Sequence, residues 1–132
     1  MKKKMSIIVA FVLIVVMSVS TAMASYYSDG SIVLPGGTVT AHNEVYNNKK
    51  DAYAKTNGQT NSYISVSITG YYIYTPTGNT YETEPQSGSL SGVYIRRDAP
   101  SRGSDEYYYK IKSVHTGSIA DDYGSITLVT TP

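Results

Sequence analysis

The sequence has no cysteine and no tryptophan, and its single phenylalanine, Phe11, lies with all four methionines inside the first 24 residues. Without cysteine there is no disulfide framework, no thiolate metal centre, and no lipid-modified cysteine at an export cleavage site. Charge is sparse too, with 11 basic against 10 acidic side chains, and nothing here is basic enough to suggest nucleic acid. Long apolar runs are limited to one, between Met5 and Ala24, and no later stretch is long enough to cross a bilayer.

That run has the layout of a secretory leader. Lys2, Lys3 and Lys4 precede Ile7 to Val16, and Ala22-Met23-Ala24 supplies a small-residue cleavage site. An uncleaved anchor is the alternative, since Met5 to Ala24 just reaches spanning length. Ser18, Ser20 and Thr21 and the Ala-x-Ala ending favour cleavage after Ala24. The expected organisation is a signal peptide over 1–24 and one secreted domain over 25–132, released outside the cell or retained without covalent attachment at the envelope. The membrane is met only through the leader. Removing it leaves eight basic and ten acidic side chains, a net charge of −2.

What the mature chain has in abundance is tyrosine, with all fourteen of its aromatic side chains of that one type. A core must therefore be built from Ile, Val, Leu and Tyr, and each buried hydroxyl needs a partner or a place at the core's edge. A domain of this length buries about two-thirds of its unfolded surface without staples.

The organising stretch is Ser62 to Thr75. Ile64, Val66, Ile68, Tyr72 and Tyr74 alternate with Tyr63, Ser65, Ser67, Thr69 and Tyr71, the pattern of a long strand with one oily and one hydroxylated face. Gly70 in its middle predicts a bend or bulge. The run is uncharged and free of proline, so on a sheet edge it would template pairing with other chains. Tyr107, Tyr109 and Ile111 alternate with Tyr108, Lys110 and Lys112, which predicts a second long strand over Glu106 to Thr116.

Elsewhere the punctuation is regular. Ser28-Asp29-Gly30 reads as a turn into a short strand at Ile32 to Leu34, ended by Pro35-Gly36-Gly37. Thr38 to Thr56 supports either a helix with Thr40 as N-cap or two strands joined at Asn47 to Lys50; paired Asn and few aliphatic residues favour strands. Asn57-Gly58 is a hairpin-type signal, Glu84 to Ser91 and Gly117 to Gly124 read as loops, and Gly92 to Arg97 and Ser125 to Thr130 as strands. About eight short strands with no confident helix predict an all-β fold, a small antiparallel two-sheet β-sandwich.

Few residues carry chemistry. His42 and His115 would make a metal site only if the fold joined them to Glu44 or Asp121-Asp122, and a hydrogen-bonded structural or surface role is favoured instead. The Asp29-Gly30-Ser31 and Asp121 to Ser125 segments could offer oxygen ligands to calcium, but match no calcium loop and are ordinary turn composition. Glu82 and Glu84 lack the deep cleft that a paired-carboxylate hydrolase needs. No catalytic residue, metal ligand set or cofactor is assigned, and the chain reads as non-enzymatic.

Tyrosines give broad, rigid, amphipathic contact suited to sugar rings and protein surfaces. Tyr63, Tyr71, Tyr94 and Tyr108 are read as outward and as candidates for one exposed aromatic patch, bordered by Arg96, Arg97 and Arg102. The expected function is a secreted β module that binds cell-envelope or extracellular polysaccharide, or a protein at the cell surface, through a Tyr-bearing sheet face. Two alternatives are a secreted antibacterial or toxin-like effector and a self-assembling matrix component.

Overall fold

The computed structural model describes residues 25–132, and the signal-peptide reading of 1–24 lies outside the described residues. The described chain is all-β, with nine strands: β1 (Tyr26–Leu34), β2 (Gly37–Val45), β3 (Ala52–Asn57), β4 (Ser62–Tyr74), β5 (Asn79–Glu82), β6 (Gln86–Ser91), β7 (Tyr94–Asp98), β8 (Glu106–Ile119) and β9 (Asp122–Thr130). They form two antiparallel sheets, one in the order β1-β2-β3-β7 and one in the order β5-β4-β8-β9, with β6 beside the first half of β4 on the same edge as β5.

The alternation in Ser62 to Tyr74 places Ile64, Val66 and Ile68 inside. They pack with Val39, Val45, Ile95 and Ile111 between the sheets. β4 is a central strand, bonded to β8 along its length and to β6 and β5 on its other edge, so its backbone is not available as a template. Thr38 to Thr56 forms two strands. Their turn is closed by the Asn48 side chain, which accepts from the Lys50 amide at 2.9 Å, with Lys49 at a φ of 57°.

Several expectations are corrected. Ser28-Asp29-Gly30 is not a turn but the middle of β1, because β2 offers a full ladder from Tyr26↔Val45 to Leu34↔Gly37. Asn57-Gly58 does not join a hairpin: β3 and β4 belong to different sheets, and this connection carries the chain across the sandwich. Part of the expected loop Glu84 to Ser91 is strand β6, and the expected loop at Gly117 to Gly124 shrinks to Ala120-Asp121, with Ala120 at a φ of 53°.

Tyr108 is the largest correction. It was expected outward and is 1% exposed, whereas Tyr109, expected inward, is exposed. Opposite Tyr71 and Tyr72 stand Lys110 and Tyr108, so Tyr109 is an extra residue in β8 and the inward set changes phase from Ile111 to Tyr108. Gly70 is not itself the bulge. It makes room for the Tyr108 ring, which a Cβ at that position would overlap. The Tyr108 hydroxyl donates to the Pro100 carbonyl at 2.5 Å, which satisfies it at the core's edge.

The interior also holds a polar chain. Asn43 Nδ2 donates to Ser113 Oγ at 2.9 Å, Ser113 Oγ lies 2.7 Å from His115 Nε2, and His115 Nδ1 lies 2.8 Å from Thr56 Oγ1. Thr56 spends its proton on the Ser65 carbonyl, so it accepts from Nδ1–H, and Ser113 donates to Nε2. The imidazole is thus neutral and fully bonded, and burial, then the charge of His42, push it down to about 4. His115 is a structural histidine.

Candidate functional site

Because every strand alternates, the register lines up outward side chains in rows across each sheet. On the four-stranded sheet one row is Asp29, His42, Lys55 and Arg96; the next is Tyr27, Glu44, Tyr53 and Asp98; a third is Ser31, Thr40, Asn57 and Tyr94. This face carries acids, bases, amides, hydroxyls and aromatic rings together.

Its centre is a stacked array. The His42 ring lies 5.8 Å from Tyr27 at an interplanar angle of 23° and 5.7 Å from Tyr53, and Arg96 covers the other side of Tyr53 at 3.9 Å. Hydrogen bonds fix the His42 and Tyr53 rings. His42 Nδ1 lies 2.5 Å from Asp29 Oδ1, Nε2 lies 3.2 Å from Glu44 Oε2, and the Tyr53 hydroxyl donates to the same Glu44 oxygen at 2.7 Å. Burial pushes the Glu44 carboxyl up, but hydrogen bonds from Tyr53, Ser25 and His42 outweigh it and hold the group below its usual value. Burial and the Glu44 carboxylate raise the Tyr53 hydroxyl, which therefore remains a donor. Arg96 is held by Asp98 at 2.7 Å.

Beside the array lies an open depression of about 500 Å³, lined by Asp29, Ser31, Thr40, His42, Lys55 and Asn57. The Lys55 side chain makes no hydrogen bond, ion pair or ring contact with any described residue, so its ammonium is available there. Tyr27, 64% exposed, and Tyr94, 47% exposed, flank the face.

The outer face of the five-stranded sheet has a different chemistry. Its rows are Ser91-Tyr63-Ser118-Tyr123, then Ser89-Ser65-Thr116-Ser125, then Ser87-Ser67-Val114-Thr127, and the nearest charges are Lys112 in the row beyond and the exposed Asp121 and Asp122 at the hairpin tip before Tyr123.

The predicted patch is therefore divided. Tyr94 and Arg96 belong to the four-stranded sheet, Tyr63 and Tyr71 to the five-stranded one, and Tyr108 to the core. Tyr63 and Tyr71 stand eight residues apart on one strand, roughly 27 Å, and Tyr71 is covered by Lys110 at 4.0 Å. Arg97 reaches the Ser87 carbonyl at the β6 edge, and Arg102 stacks on Tyr72 at 4.3 Å under the loop after β7, so neither borders an aromatic patch.

His42 and His115 lie in different sheets, one facing out and one in, and the described residues contain no group of three or more His, Asp or Glu disposed to hold a metal ion. Tyr27, Tyr53 and Lys55 were missed. The signal available for them was the parity of Tyr53-Lys55-Asn57 against Ala52-Ala54-Thr56, which marks an outward set of mixed polarity. No protein-family model and no curated protein matches the chain.

Proposed function

We propose that this chain is an exported, non-enzymatic β module that binds cell-envelope or extracellular polysaccharide, and that the outer face of its four-stranded sheet is the binding surface. One observation carries the reading: an aromatic cluster built on the hydrogen-bonded His42 and Tyr53 rings adjoins an open depression whose Lys55, Asn57, Thr40 and Ser31 side chains supply donors and acceptors. Sugar recognition uses that combination, with rings for the apolar faces of a pyranose and polar groups for its hydroxyls. His42 and Tyr53 are held by hydrogen bonds before any ligand arrives, which lowers the entropy lost on binding.

Co-sedimentation of the purified protein with isolated cell walls and a panel of insoluble polysaccharides tests the proposal. Saturable retention on at least one of them is expected. Tyr27→Ala, removing an exposed aromatic anchor, should weaken retention about tenfold, roughly 1–2 kcal/mol, and Lys55→Gln should weaken it on acidic polymers most. Unchanged retention in both variants, or none by the wild type, refutes the reading. The effector and matrix alternatives are then addressed by growth inhibition and by concentration-dependent fibre formation.

A further inference from the structure

We infer that the outer face of the five-stranded sheet is a second carbohydrate surface, one that takes an uncharged, ribbon-like polysaccharide lying across the strands. It is separate from the face proposed above and stands on different residues.

Two rings share its first row. Tyr63 and Tyr123 are 52% and 67% exposed and are separated by one intervening strand. Two strand spacings put their Cα atoms roughly 10 Å apart, the order of a disaccharide repeat in an extended β-linked chain. The Tyr63 hydroxyl donates to Ser89 Oγ at 2.9 Å, and Ser89 is the diagonal neighbour on β6, so the half-exposed ring is tethered toward that strand.

The rows beyond the rings are hydroxyls already linked to one another. Ser87 Oγ donates to Ser67 Oγ at 2.9 Å, and Ser65 is bonded to Thr116. Such side chains are short and lose little freedom on binding. With no charge in these three rows, an ionic polymer gains nothing here that a neutral one lacks. The occupant is also set by size. Three rows across four strands cover roughly 300 Å², well below the ~800 Å² per partner of a stable protein interface. A single polysaccharide ribbon fits that area.

The test is retention of the purified protein on microcrystalline cellulose and on chitin, two neutral ribbons, at low and raised salt. Wild type should be retained on at least one, with little salt dependence. Tyr63→Ala with Tyr123→Ala should lower retention at least tenfold, whereas Val93→Ala, an exposed position between β6 and β7 that belongs to neither face, should leave it unchanged. Ser125→Lys, an exposed substitution that places a charge in the middle row, should also lower it and serves if the double variant fails to fold. Three results overturn the inference: no retention of the wild type, retention unaffected by the substitutions on this face, or an equal loss in Val93→Ala. Loss of cell-wall binding in Tyr27→Ala alone bears only on the first face.

Discussion

Acid should destabilise this fold through one side chain. His115 is fully buried and bonded as a neutral ring to Thr56 and Ser113, and burial, then His42, lower it from 6.5 to about 4. A lowered folded value means that the unfolded chain binds the proton more readily. Stability is therefore complete above about pH 6.5, falls as the pH drops towards 4, and levels off below that for this group. A gap of that size corresponds to about 3 kcal/mol in total, of which about 2 kcal/mol is lost between pH 7.5 and pH 5. Glu44 and Asp51 are held below ordinary values of 4.5 and 3.8, so their own losses begin at lower pH. The assay is urea unfolding followed by circular dichroism at several pH values in the window from about 6.5 to 5. The slope should reach about 1.2 kcal/mol per pH unit in the wild type and be smaller by about that amount in His115→Gln. An overall offset from the substitution does not affect that comparison. A wild-type stability flat across the window, or a slope undiminished in His115→Gln, would refute the assignment.

Two further substitutions probe the geometry around the same core. Gly70→Ala places a methyl group into the Tyr108 ring, and overpacking of this kind should cost about 1–3 kcal/mol; a urea midpoint equal to that of the wild type would show that the ring is free to move aside. Ala120→Gly relieves a left-handed conformation at the tip of the β8–β9 hairpin. It should stabilise by about 0.5–1 kcal/mol, the balance between the strain of a Cβ there and the greater unfolded freedom of glycine, and a lower midpoint would count against it.

The parts of the fold that could be read in the sequence are those fixed by neighbours along the chain. Side-chain parity in Ser62 to Tyr74 is local, and it placed Ile64, Val66 and Ile68 inside without any knowledge of partners. Parity fails where the ladder slips. Nothing in Glu106 to Ile111 says that Tyr109 will be skipped, because the bulge arises from pairing with Tyr71 and Tyr72, about 35 positions earlier. From that slip follow the burial of Tyr108, the exposure of Tyr109, and the need for a bare backbone at Gly70.

The candidate face shows a second kind of non-local fact. Asp29, His42, Lys55 and Arg96 form one row only because three separate registers place them side by side. A shift by one residue at any of the three would turn part of the row into the core. The apolar residues between them, Ile32, Val39, Ala41, Ala54 and Ile95, prevent that shift, since their burial holds only in the observed registers. The core sequence thus specifies the face indirectly, by fixing which polar residues must meet outside. Substitutions on the face that preserve its outward parity, such as Lys55→Gln or Tyr27→Ala, should accordingly alter binding while leaving the fold's stability within about 0.5 kcal/mol. A large loss of stability in Lys55→Gln would show that the row contributes to register and not only to recognition.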